Sequence, residues 1–140
     1  MASEVFFNAY ISLNAVVLSN NSNKVTITHS REELEDNTFG DTSKFYKPGL
    51  RNSEVTIEFY QDFADGEVDP TIWPLIDGDT AVPFEIRPKS SAVSTTNPKW
   101  TSSAAFVMSY NPVDGSHGTM LMTGIKLKMA KGGALTRATS

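Results

Sequence analysis

Glu54-Val55-Thr56-Ile57-Glu58-Phe59-Tyr60 alternates apolar and polar side chains without a break. A period of two in β-branched and aromatic residues is the mark of a strand with one face buried. Val55, Ile57 and Phe59 would therefore face a core, and Glu54, Thr56, Glu58 and Tyr60 would face out. That outward face is unusually acidic. The same period recurs along the chain. In Tyr10 to Leu18 it puts Ile11, Leu13, Ala15 and Val17 on one side, which predicts one strand. Ser19-Asn20-Asn21-Ser22-Asn23 follows as a polar turn. Lys24 to Ser30, with Val25, Ile27 and His29 on one face, is then expected to be the hairpin partner of the first strand.

Glu35 to Gly49 breaks the pattern for about fifteen residues and is expected to be a long loop. Phe39, Phe45 and Tyr46 argue against a solvated linker, because disordered segments are poor in aromatics. Asp69-Pro70-Thr71-Ile72-Trp73 has the form of a helix start, with Asp69 as N-cap, Pro70 at the first helical position and Val68 placed to staple against Trp73. Pro74 should keep the helix short, ending before Asp77-Gly78. Thr80 to Arg87 resumes alternation through Val82, Phe84 and Ile86, and Pro83 within it requires an edge or a bulge. Pro88 to Pro98 is a Ser/Thr-rich connection. Ala104 to Tyr110 and Thr119 to Met129 form a last hairpin around Asn111 to Gly118, with Thr123, Ile125 and Leu127 opposite Gly124, Lys126 and Lys128. Gly132-Gly133 to Ser140 is expected to be a flexible tail. The fold class is thus mainly β: an antiparallel sandwich or barrel of about six strands with one short helix.

The 140 residues suit a single domain spanning 1–140. The longest wholly apolar run is only a few residues, such as Ala15-Val16-Val17-Leu18, far short of a membrane-spanning helix. Met1 to Phe7 has no basic region followed by a long apolar one, so no secretory signal is readable. The absence of cysteine removes disulfides, thiolate metal sites and cysteine nucleophiles, and fits folding in a reducing cytoplasm. The net charge of −4 conceals a division. Residues 1–85 carry 15 acidic and 5 basic side chains, net −10, and residues 86–140 carry 1 and 7, net +6. Either the halves neutralise one another within one domain, or an acidic surface of one copy meets a basic surface of the next. No basic run is dense enough to track phosphates tightly.

Catalytic and cofactor motifs are missing. His29, on an apolar strand face, and His117, in a Gly-rich turn, match no recurring metal-ligand spacing. Glu54 and Glu58 lie about 13 Å apart on one strand, too far for a paired-carboxylate glycosidase. Neither phosphate-binding glycine motif is present. The expectation is a protein that is not an enzyme and holds no cofactor or metal.

The order of elements does carry a resemblance. A first hairpin, a long loop after the second strand and an Asp-rich segment with a short helix precede Val82 to Pro88. Ser94-Thr95-Thr96-Asn97-Pro98 follows, then an Asn-Pro-x-Asp-Gly-x-x-Gly turn at 111–118 and a last strand ending before Leu135-Thr136-Arg137. Over most of residues 8–138 the chain resembles the major tail (tail tube) proteins of long-tailed bacteriophages with non-contractile tails. The resemblance implies two packed antiparallel sheets with a flanking helix, in a subunit that self-assembles into hexameric rings. Stacked rings would make a tube, in the virion tail and beside other phage tail proteins, built in the host bacterial cytoplasm. It implies that DNA traverses the lumen without specific binding. It also implies that the 35–49 loop reaches the neighbouring ring through Phe39, Asp41, Lys44, Phe45, Tyr46 and Lys47, helped by terminal arms at 1–9 and 131–140. Glu54, Thr56 and Glu58 are the candidate lining of the lumen, and Lys126 and Lys128 should point to a neighbouring subunit instead. The alternative is a β-sandwich binding module, such as a capsid decoration or receptor-contacting domain, with Trp73, Trp100 or Tyr110 as a platform.

Overall fold

A computed structural model describes residues 9–140. The Glu54–Tyr60 strand is the C-terminal half of a longer one, Tyr46–Tyr60 (β4), and it sits inside the sheet. On one side it pairs with Met122–Met129 (β7), Ile57 opposite Ile125; on the other it pairs with Ser22–Glu35 (β3), Ile57 opposite Val25. With Tyr10–Leu13 (β1), Val16–Val17 (β2), Val82–Arg87 (β5) and Lys99–Tyr110 (β6), the order is β2-β1-β5-β6-β7-β4-β3, and Thr136–Ala138 (β8) adds to β6. All pairings are antiparallel. Among the described residues the expected sandwich or barrel is therefore one eight-stranded sheet that does not close, since β2 and β3 remain at opposite ends. It is curved, because Val25 and Ile27 of β3 share a cleft with Ile86 of β5.

Three expectations are corrected by local chemistry. Tyr10 to Leu18 is not one strand: Asn14 and Ala15 both take positive φ, 52° and 65°, and turn the chain in a two-residue hairpin with Leu13 opposite Val16. Two successive left-handed residues match the right-handed twist of the flanking strands, and the alternation running through Ala15 and Val17 hides that turn. Consequently β3 is not the partner of β1. A 3-10 turn at Ser19–Asn21 carries the chain away, and β1 pairs with β5, Tyr10 opposite Arg87. Finally, the segment from Gly132-Gly133 to Ser140 is not a free tail, since Thr136–Ala138 pairs with β6. Gly133 packs so tightly on β6 that a Cβ there would lie 2.2 Å from the Ala104 carbonyl oxygen, and Ser102 Oγ donates to Gly133 O at 2.6 Å. The expected arm at 1–9 lies, apart from Ala9, outside the described residues.

The helix (α1) spans Val68–Asp77, one residue beyond the expected end, with Glu67 rather than Asp69 at the N-cap. Val68, Ile72 and Leu75 are buried, whereas Trp73 is half exposed, so Val68 packs into the core instead of stapling to Trp73. Gly78 N–H closes the last turn on Pro74 O at 3.1 Å. Pro83 sits at a register shift between Val82 and Phe84, a bulge as its missing N–H requires. The 88–98 connection is organised by Asn97, buried, whose side chain accepts from Lys89 N–H and donates to the Lys89, Ser91 and Ala92 carbonyls. Ile11, Leu13, Val55, Ile57, Phe59, Phe84, Val107, Ile125 and Leu127 form the core with the helix.

Candidate assembly surfaces

The first surface is an arm. β7 covers β4 only from Glu54 to Tyr60, yet β3 and β4 stay paired out to Glu35 opposite Tyr46. The outer part of this hairpin is a two-stranded ribbon, and its residues 30–48 are all exposed. The segment expected as a fifteen-residue loop is thus partly strand, with a tip of only 36–45. The tip is held by its own polar groups: Asp41 Oδ2 accepts from Thr38 N–H at 2.8 Å, Asn37 Oδ1 accepts from Phe45 N–H at 2.7 Å, and Asp36 N–H donates to Phe45 O at 2.8 Å. Lys47 faces Asp36 at 3.9 Å, and Lys44 lies in the exposed tip. Asp41 and Lys47 therefore shape the arm as well as decorating it.

Apolar side chains on this arm are left exposed by the described residues. Phe39 is 109 % exposed, Leu50 76 %, Tyr46 54 %, Phe45 53 % and Leu34 45 %. Leu34 and Leu50 escaped the sequence reading; the clue was two large aliphatic residues beside an otherwise polar stretch. An isolated two-stranded ribbon is marginal in water, and clustered exposed apolar groups mark interaction surfaces.

The second surface is the polar face of the sheet. Glu54, Thr56 and Glu58 lie on it as expected, but so do Lys126 and Lys128, because Glu54 is opposite Lys128 and Thr56 opposite Lys126 across β4 and β7. Glu54 accepts from both lysines, at 3.2 Å from Lys126 Nζ and 3.5 Å from Lys128 Nζ. The hydrogen bond from Lys126 is the main reason its carboxyl titrates below its ordinary 4.5. On the other side Glu58 is opposite Lys24. The acidic and basic candidates thus share one face, where the expectation separated them; the register of two strands distant in sequence decides this.

The aromatic platform of the alternative reading is not assembled. Trp73 packs on Tyr110 at 6.4 Å between centroids, while Trp100 lies at the other end of β6, roughly 30 Å along the strand. Tyr110 instead braces the fold. Its hydroxyl donates to Asp69 Oδ1 at 2.6 Å and accepts from Gln61 Nε2 at 2.9 Å, tying the helix start to the sheet. Burial first, and then the bond to Asp69, raises its pKa from 10.0 to about 12. His29 Nδ1 contacts Ser53 Oγ at 2.6 Å, and His117 is exposed. Among the described residues no cluster of His, Asp or Glu could hold a metal ion, and no helix is long and apolar enough to cross a membrane.

No protein-family profile and no curated protein matches the sequence. Solved structures do match in shape. A chain of the virion of the native gene transfer agent particle superposes with a TM-score of 0.70 at 14 % identity, over 97 % of this chain and 99 % of that one. A chain of the sheath-tube complex of the extracellular contractile injection system PVC gives 0.70 at 14 %, over 96 % and 90 %. The SPP1 tail tube protein gives 0.70 at 11 %, over 95 % and 76 %. Agreement over nearly the whole chain at such low identity is agreement of fold, and the fold of this chain is that of phage-like tail tube and injection-system tube proteins, as the order of its sequence elements implied.

Proposed function

We propose that this chain is a structural, self-assembling tube subunit of a virion tail, six copies forming a ring and the rings stacking into a conduit for DNA. The observation that carries the proposal is the β3–β4 arm, which presents Leu34, Phe39, Phe45, Tyr46 and Leu50 to solvent. Such a ribbon would gain stability by docking on another copy, and the likeness of fold to chains of tail tubes supports reading that copy as the neighbour in a tube. Contacts with other tail proteins would occur at the tube ends, and assembly would take place in the host cytoplasm.

In this reading the Glu54–Thr56–Glu58 face lines the lumen. DNA must pass without being held, and each unpaired cation on the wall adds affinity. Glu54, set between Lys126 and Lys128, supplies the countercharge, so the wall is quiet through local pairing rather than through uniform negative charge.

Size-exclusion chromatography and negative-stain microscopy at rising protein concentration test the proposal. The expected result is rings or tubes for the native chain and folded, unassembled protein for Phe39→Asp/Phe45→Asp. A native chain that stays monomeric at every concentration, or a double variant that assembles equally well, would overturn it.

A further inference from the structure

Exposed apolar side chains stand at both ends of β4. At the arm they are Phe45, Tyr46 and Leu50. About 45 Å along the strand, at a rise of roughly 3.3 Å per residue, the chain leaves β4 at Tyr60 and reaches Phe63, also exposed. Gln61 ties this second end together. Its backbone N–H donates to Leu121 O at 2.9 Å, and its Nε2 donates to Pro112 O at 2.7 Å and to the Tyr110 hydroxyl at 2.9 Å. The 61–63 segment is thereby held to the turn between β6 and β7, where Val113 and Met120 are exposed, and near Trp73, which packs on Tyr110. The two ends differ in charge. Residues 42–53 hold Lys44, Lys47 and Arg51 and no carboxylate. Residues 60–79 hold Asp62, Asp65, Glu67, Asp69, Asp77 and Asp79 and no Lys or Arg, and the turn adds Asp114. None of these carboxylates forms an ion pair among the described residues.

We infer that the apolar, acidic end around Phe63, Trp73, Val113 and Met120 receives the basic 42–53 strand of the arm from a second copy. The inference rests on the tube reading and names the surface on which its arm lands. A subunit cannot satisfy itself, because its own arm points away from the acidic end along the length of β4. Two unlike surfaces at opposite ends make a head-to-tail contact, which repeats along an axis where a two-fold contact would stop at a dimer. Phe45 and Tyr46 supply aromatic anchors for the exposed apolar groups. Lys44 and Lys47 supply the charge. Lys44 forms no ion pair among the described residues, and Lys47 has only Asp36, at 3.9 Å with both side chains more than half exposed, a contact of little worth that exchanges readily. The arm's own carboxylates lie apart from this strand: Glu32, Glu33 and Glu35 are on β3, and Asp41 is held by Thr38. The apolar cleft shared by Val25, Ile27, Ile86 and Trp100 is a poorer receiver. Arg137 lines it, and Arg51 and Lys128 line the adjoining hollow, so it would set cations against the arriving lysines.

Charge reversal with rescue tests the contact, read by sedimentation and negative-stain microscopy on variants whose circular dichroism matches the native chain. Lys44→Glu/Lys47→Glu should raise the concentration needed for assembly about tenfold or more, since like charges across an interface are strongly unfavourable. Asp65→Lys/Asp114→Lys, at two exposed positions, should do the same. All four changes in one chain should restore assembly towards the native level. The chain has no cysteine, so a second readout is direct. Phe45→Cys protein mixed with Val113→Cys protein should form a mixed disulfide under mild oxidation, faster than Phe45→Cys mixed with Ile27→Cys. Native assembly combined with undiminished assembly of the lysine variant, with failure of the fourfold variant to recover, or with faster linkage to Ile27→Cys would overturn this inference and leave the tube reading standing. A native chain that stays monomeric at every concentration would overturn both.

Discussion

Replacing Gly133 by Ala should destabilise the subunit far more than the same change one residue earlier. The added Cβ would stand 2.2 Å from Ala104 O, 2.9 Å from Ala104 N and 3.0 Å from Ala104 C, all backbone of β6 and unable to swing away. The C-terminal segment must lift. It then loses the buried bond from Ser102 Oγ to Gly133 O and weakens that from Ala130 N–H to Ala104 O, at about 1 kcal/mol each. Half-buried Leu135 gives up another ~1 kcal/mol of apolar contact. The sum of about 3 kcal/mol corresponds to a fall in Tm of roughly 10 °C for a domain of this size. Gly132 is the control: it has φ +85° and open space around its Cα, so Gly132→Ala carries only the left-handed penalty of about 1 kcal/mol. Thermal unfolding followed by circular dichroism, with urea titration for the free energy, compares the two. Gly133→Ala falling no further than Gly132→Ala would show that the segment is not seated on β6. Ser102→Ala/Gly133→Ala should lose less than the sum of the single changes, because both remove the same bond.

Ala15→Gly should stabilise the fold by about 0.5 kcal/mol, the relief of φ 65° exceeding the added freedom of the unfolded chain; urea midpoints at constant slope measure it. Tyr110→Phe should cost about 1–2 kcal/mol at neutral pH by stranding Asp69 and Gln61. Its folded pKa of about 12 lies above the unfolded 10.0, so this contribution is whole below pH 10 and fades as pH rises towards 12; the variant should lack that alkaline decline. Glu54 is shifted the other way, and its contribution is present above its ordinary 4.5 and lost as pH falls through its depressed folded value. Stability of Glu54→Gln should therefore depend less on pH below 4.5 than that of the native chain, and an equal acid slope in both would refute the pairing with Lys126 and Lys128.

Sequence periodicity determined much of this protein. The inward residues of β4, β5 and β7, the helix after Val68, the bulge at Pro83 and the last hairpin were all legible, because each depends on side chains a few positions apart. The aromatics of the 35–49 segment were legible as out of place in a solvated linker, and the structure leaves Phe39, Phe45 and Tyr46 exposed. Tertiary structure alone decided the rest. That Asn14-Ala15 turns, that β1 joins β5 and β3 joins β4, and that one sheet forms without closing are matters of which strand edges meet. Pattern in the sequence says which way a side chain faces, not which strand lies beside it. The same limit separated Glu54 from Lys126 and Lys128, which are about seventy residues apart along the chain and 3.2 Å and 3.5 Å apart in space. The C-terminal segment read as free because glycine has no side chain to advertise a contact, and at Gly133 the missing Cβ is what lets the backbone dock.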